Sequence, residues 1–258
     1  MNAQKVVNCI AQGMRSAHAL SKSFLGAEQI YYEVPIIRPE YLATVKIAEQ
    51  LTDPSMCVTL EASMKDLRSK VCSELRIMKN NLPKGWSKSI GERFRFGKKD
   101  GERLDILVSP SVAFEYPILL LEIKLSAKNI SGLKKDVDRV LKVMSMYNEL
   151  DVLKKQKIYA AVVFHELIEG VGIVDYNKSL KKYIQKLGEF CESKSKEHKW
   201  LRHKVGLLMR AAVSEPIKGQ EIVYAEGQTE LEFCREQYVF SPGLILLGNA
   251  PDIQTVEF

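Results

Sequence analysis

Cysteines are few, and none is close to another. Cys9, Cys57, Cys72, Cys191 and Cys234 are scattered along the 258 residues with no Cys-x-x-Cys pair. Neither a zinc site nor a disulfide framework is therefore expected, and reduced thiols in a cytoplasm are the simplest reading. No apolar run approaches the ~18–20 residues needed to cross a bilayer. The amino terminus lacks the basic-then-apolar layout of a signal peptide, which agrees with a cytoplasmic expectation. A Gly-x-x-x-x-Gly-Lys-Ser/Thr phosphate loop is also missing, which removes nucleotide-driven motors. There are no internal repeats and no low-complexity tract. What is present is an ordinary globular composition, 46% hydrophobic and 27% charged, in a chain long enough for a large core. The net charge of +6, from 38 basic and 32 acidic residues, fits a nucleic-acid binder without requiring one.

The chain is organised around Pro117–Leu125, Pro-Ile-Leu-Leu-Leu-Glu-Ile-Lys-Leu. Its aliphatic content is that of a strand buried on both faces. Side chains alternate across a strand, so Leu119, Leu121, Ile123 and Leu125 share one face. Ile118, Leu120, Glu122 and Lys124 share the other. A carboxylate and an ammonium thus emerge side by side from the end of an apolar strand. An unpaired buried charge is very costly, so each needs a partner, a metal or water. The preceding strand, Glu102–Val108, repeats the pattern. Leu104, Ile106 and Val108 make a core face, and Asp105 points the other way. A loop over Ser109–Tyr116 lets the two strands be antiparallel neighbours, which brings Asp105, Glu122 and Lys124 to one side of the sheet.

Two carboxylates and a lysine suit a small hard cation. Oxygen ligands fit Mg²⁺, which keeps several waters and shares its shell with phosphate. Lys124 can position or activate a water, or stabilise charge growing on a phosphate. The competing reading is an ordinary ion pair between neighbouring strands. Asp105 in the same apolar setting weighs against it, because buried charge is rare.

Asp105, sixteen residues, then Glu122-Ile123-Lys124, set on two apolar strands with helices around them, resembles the core motif of the PD-(D/E)XK nuclease superfamily. The resemblance covers roughly Leu60 to Val174. Its Glu-x-Lys part is intact, whereas Leu104 stands where the family pattern has proline. The resemblance implies an α/β fold with a mixed central β-sheet flanked by helices, a restriction-endonuclease-like core. It implies hydrolysis of DNA phosphodiester bonds with Mg²⁺, or Mn²⁺ in its place. Asp105 and Glu122 would be the metal ligands and Lys124 would orient the attacking water. In-line attack would expel the 3′ oxygen and leave a 5′ phosphate. A helix before the sheet often supplies a further carboxylate in this superfamily. Glu74, on the apolar stripe of a helix expected over 62–81, is the candidate; Glu61 at that helix's start is the alternative. Under this reading Arg93, Arg95, Lys98, Lys99 and Arg103 would hold backbone phosphates. They surround an expected strand over Ile90–Phe96 and a hairpin turn over Gly97–Gly101. Lys128, Lys134 and Lys135, near the start of the following helix, would join them.

Helices are also expected over 3–25, 40–51, 130–150 and 178–190, from apolar residues at helical spacing. The first two carry no recognisable chemistry. Tyr31–Ile37 reads as a short strand or a linker. Ile158–Phe164 is a buried strand, and a strand–helix–strand unit there implies parallel pairing. His165, without metal-ligand spacing around it, reads as structural. Residues 193–204 read as a polar surface segment. Strands are expected near 207–213, 222–225 and 244–247. The expected organisation is a helical region over 1–56 packed on a core over 57–176, with 177–258 extending the same domain. Cutting both strands of a duplex often uses two sites, so a homodimer is an open option. Two other functions remain: a binding module for nucleic acid or protein on the same fold, and a metal-dependent phosphohydrolase acting on RNA or nucleotides.

Overall fold

The computed structural model describes residues 1–27, 39–78, 86–94, 102–110, 116–125, 130–165, 173–209, 212–213, 221–223, 229–231 and 239–258. The chain opens with two helices, α1 (Ala3–Ala27) and α2 (Pro39–Leu51). Pro39 begins α2, where its missing N–H costs nothing. Strand β1 (Met56–Ser63) leads directly into α3 (Met64–Met78), followed by α4 (Trp86–Arg93). Then come β2 (Arg103–Pro110), β3 (Leu119–Lys124), α5 (Ile130–Glu149), the short α6 (Val152–Lys155) and β4 (Tyr159–Phe164). Helix α7 (Ile173–Glu197) precedes β5 (Arg202–Leu207). Two small ribbons follow, β6 (Ala212–Val213) with β9 (Val239–Phe240), and β7 (Glu221–Val223) with β8 (Thr229–Leu231). Strand β10 (Gly243–Gly248) ends the sheet.

The main sheet has six strands in the order β1-β2-β3-β4-β10-β5. Only β3 and β4 are parallel; the other four pairings are antiparallel. The parallel pair is joined through α5, as a crossover requires. Both faces are covered. Leu119, Leu121 and Ile123 pack with α1 and α2, whereas Leu120, Ala160 and Val162 pack with α3, α5 and α7. Strand β4 is buried at every position because it has cover on both sides and a neighbour on each edge. The molecule is thus mixed α/β. Among the described residues no helix is long and apolar enough to cross a membrane.

Three expectations are corrected. The helix expected from residue 62 begins at Met64, because Met56–Ser63 is the edge strand paired with β2. That strand was hidden by its exposure: half of its residues are exposed and only Ala62 is buried, so it carries little alternation. The strand expected over Ile90–Phe96 is helical through Arg93, with Phe94 in a turn. Apolar residues four apart, as Ile90 and Phe94 are, satisfy a helix as well as a strand in so short a window. Residues 202–204, expected in a surface segment, belong to β5, which starts earlier than the strand expected near 207. As an edge strand, β5 tolerates Arg202, His203 and Lys204. Tyr31–Ile37 and Gly97–Gly101 lie outside the described residues.

Candidate functional site

The β2–β3 ladder pairs Val108 with Leu119, Leu107 with Leu120 and Ile106 with Leu121. One step further in that register, Asp105 faces Glu122. The backbone ladder is interrupted there. The Ile123 N–H donates to Oδ2 of Asp105 at 2.6 Å, so a side-chain carboxylate takes the place of a backbone carbonyl. Asp105, Glu122 and Lys124 gather at one end of the sheet. The single core face expected for Leu104, Ile106 and Val108 is corrected: Leu104 packs on one side of the sheet and Ile106 and Val108 on the other, so the alternation of β2 breaks at Asp105, where the ladder is interrupted.

Glu122 is 4% exposed. Its Oε1 accepts from Nη1 of Arg139 on α5 at 2.9 Å. The same guanidinium lies 3.2 Å from Oε2 of Glu102 through Nε and 3.4 Å from Oδ1 of Asp136 through Nη2. One cation is thus shared among three carboxylates, with Asp105 as a fourth close by. Burial pushes Glu122 up to about 8 against the pull of Arg139, and the charge on Asp105 adds to the rise. Burial also pushes Asp105 up to about 6, opposed by the Ile123 N–H and reinforced by Glu61 and Glu40. Among the described residues the acids gathered here, Asp105, Glu122, Glu102, Asp136 and Glu40, outnumber the cations Arg139 and Lys124.

Lys124 reaches toward α2. Its Nζ lies 3.5 Å from Oε1 of Glu40, which also accepts the Leu125 N–H at 3.2 Å. Glu40 occupies the first turn of α2, where the helix dipole favours an acid. The first two helices carry no recognisable chemistry in the sequence, and α2 nevertheless touches Lys124 through Glu40. The helix that precedes the sheet is α2, because α3 is inserted between β1 and β2. Glu74, on α3, lies beside Tyr116 and Tyr147 and helps to raise both phenols, together with their burial. Tyr116 precedes β3, on the order of 20 Å of extended chain from Glu122. Glu74 is not brought to Asp105 and Glu122. Glu61, the alternative, is exposed on β1 with φ of 52° and contributes to the field at Asp105.

The expected basic cluster divides. Arg93 forms an ion pair with Glu149 at 2.9 Å, at the far end of α5, so it does not adjoin the acids. Arg103 is exposed on β2, two residues before Asp105. Lys134 lies over the Phe190 ring, 5.0 Å from its centre, and Lys135 is exposed. Arg95, Lys98, Lys99 and Lys128 fall outside the described residues. His165 is buried, its Nδ1 accepting the Ser241 N–H at 3.4 Å, and burial pushes its pKa down to about 4.

Sequence reasoning missed Arg139, Asp136, Glu102 and Glu40. A signal existed for Asp136: it stands three residues after Leu133 and four before Val140, on the buried stripe of α5. Glu40 gives none, because its partner lies 84 positions away.

Asp105 and Glu122 offer hard oxygen donors, the type that suits a divalent cation such as Mg²⁺. Among the described residues no group of three or more His, Cys, Asp or Glu forms a ready-made cage. A pair of carboxylates leaves the remaining positions of an Mg²⁺ shell to water and phosphate. Comparison with family models, curated proteins and solved structures finds no match.

Proposed function

We propose that this protein is a metal-dependent nuclease that hydrolyses DNA phosphodiester bonds, working in the cytoplasm on a restriction-endonuclease-like core. The observation that carries the reading is the meeting of Asp105, Glu122 and Lys124 at one end of β2 and β3. Support comes also from the mixed sheet with helices on both faces, in the element order α2, β1, α3, α4, β2, β3, α5, α6, β4. Asp105 and Glu122 would hold Mg²⁺ or Mn²⁺. When bound, such an ion polarises a phosphoryl oxygen and lowers the pKa of a bound water.

The chain's own residues have separate tasks. Glu40 fixes the direction of the Lys124 ammonium. Lys124, only partly exposed, is placed to orient a water and to stabilise charge growing on the phosphate. The Ile123 N–H holds the Asp105 carboxylate between the strands. Arg139 keeps Glu122 at the sheet end while Glu102 and Asp136 hold the guanidinium. Arg103 and Lys135 are exposed cations available to flanking phosphates.

One observation favours a second reading, a non-catalytic nucleic-acid or protein binding module. The Glu122–Arg139 contact at 2.9 Å gives Glu122 a partner within the protein. The two readings separate when supercoiled, linear and branched DNA and a structured RNA are incubated with Mg²⁺ or Mn²⁺, comparing the wild type with Glu122→Ala. Cleavage of DNA by the wild type alone supports the nuclease. Cleavage of RNA alone moves the substrate to the phosphohydrolase alternative. Inert wild type on every substrate, with retained binding, supports the module. Cutting both strands together would further ask whether two copies associate.

A further inference from the structure

Helix α7 carries its charges unevenly. Its buried side is apolar, with Leu180, Tyr183, Leu187 and Cys191 in the core. The opposite side of its first half presents Lys178, Lys181, Lys182 and Lys186, all exposed. Their spacing of three and four residues puts them on one face, with like charges as neighbours. The second half is balanced: Lys194 pairs with Asp138 and Glu197, and Lys196 with Glu192. Among the described residues no ion pair involves the first four.

The position of the face gives it a use. The Tyr183 ring lies 5.8 Å from that of Phe164. Phe164 is the register partner of Lys124 across the parallel β3–β4 pair. The lysines thus sit at the level of the sheet end that carries Asp105, Glu122 and Lys124, on the outward side of α7. From Lys178 to Lys186 the helix rises ~12 Å, enough to follow several phosphates on one strand of a duplex.

We propose that the lysine face of α7 is a docking surface for the phosphate backbone of duplex DNA, seating it beside the sheet end that holds Lys124. The choice of DNA as occupant rests on the nuclease reading; the surface itself rests on charge complementarity and position. Lysines on a helix face contact phosphates as point charges, so the surface gives affinity and placement without reading sequence.

The test is a salt titration in EDTA, which separates docking from cutting. The full chain is titrated against a fluorescent duplex of about 30 base pairs between about 50 and 200 mM salt. It is compared with a variant carrying Lys178→Gln, Lys181→Gln, Lys182→Gln and Lys186→Gln. Each lysine on a phosphate contributes about 0.9 to the slope of log affinity against log salt, so the variant's slope is expected to be shallower by about 3 to 4. Its affinity should fall at least about tenfold at the low-salt end, with an unchanged thermal melt because the four side chains are exposed. A control with Lys154→Gln, Lys155→Gln and Lys157→Gln removes exposed charge near the start of β4, at the other end of the sheet, and should leave the slope near the wild-type value. Wild-type slope and affinity in the α7 variant would overturn the proposal, as would an equal loss in the control. So would failure of the wild type to bind duplex, including the case where it instead binds phosphatidylserine vesicles through these lysines. Cleavage in Mg²⁺ is read separately on the same preparations. A slope change without cleavage leaves the docking surface standing and removes the nuclease reading; cleavage without a slope change does the reverse.

Discussion

Arg139 faces three carboxylates, and Glu122 is the most deeply buried of them. Removing one partner of a buried pair while the other stays charged typically costs about 3–5 kcal/mol. Glu122 has a way around that cost, since its pKa already rises from 4.5 to about 8 and it can take up a proton. Arg139→Met should therefore lose more stability at pH 9 than at pH 6, read by thermal melts without metal. The wild type has its own pH dependence. A carboxyl whose folded pKa is raised binds more protons when folded, so its stabilising contribution is complete below pH 4.5 and declines as pH rises through 8. The metal-free protein should accordingly melt at least about 2–4 °C lower at pH 8.5 than at pH 5 from this group alone, for a change of ~1 kcal/mol. Glu122→Gln should flatten that part of the profile. A profile rising over the same range, or unaltered by the substitution, would contradict the burial account of Glu122.

At the scale of elements, the site depends on how closely α1 and α2 approach. A Cβ at Gly13 would lie 2.6 Å from Cα of Ile47, a contact with backbone that no rotamer relieves. Gly13→Ala should therefore push α2 away and cost ~1–3 kcal/mol, measured by denaturant midpoint. Because α2 carries Glu40, the same substitution should loosen Lys124 from its partner. The strands β2, β3 and β4 and helix α5 were legible because local alternation and helical spacing determine them. The meeting of Asp105 with Glu122 followed from two strands and a short connection. The surroundings of Glu74 were not legible: it sits on an amphipathic helix, but β1 is half exposed and carries little alternation, so no local pattern shows that α3 lies between β1 and β2. The contacts of Arg139 and Glu40 depend on helices docking against opposite faces, which no local pattern encodes.

Across the whole molecule, six strands with helices on both faces leave the polar chemistry to the sheet's ends and edges. Buried acids concentrate at the end where β3 and β4 finish, and exposed lysines of α7 sit at the level of that end on the helix's outward side. The excess of 38 basic over 32 acidic residues is small, so the arrangement of charge matters more than its sum. The account's central claim is that Asp105 and Glu122 form a hydrolytic centre with Lys124. Its most direct test is the single-turnover rate of duplex DNA cleavage as a function of Mg²⁺ concentration, for wild type and Glu122→Gln side by side. The account predicts a wild-type rate that is absent without Mg²⁺ and saturates as it is added. Glu122→Gln should be slower by ~10²-fold or more at the same Mg²⁺ concentration, by the scale of a lost electrostatic contact in a catalytic centre. Equal rates with equal Mg²⁺ dependence, or no cleavage by the wild type at any concentration, would contradict it.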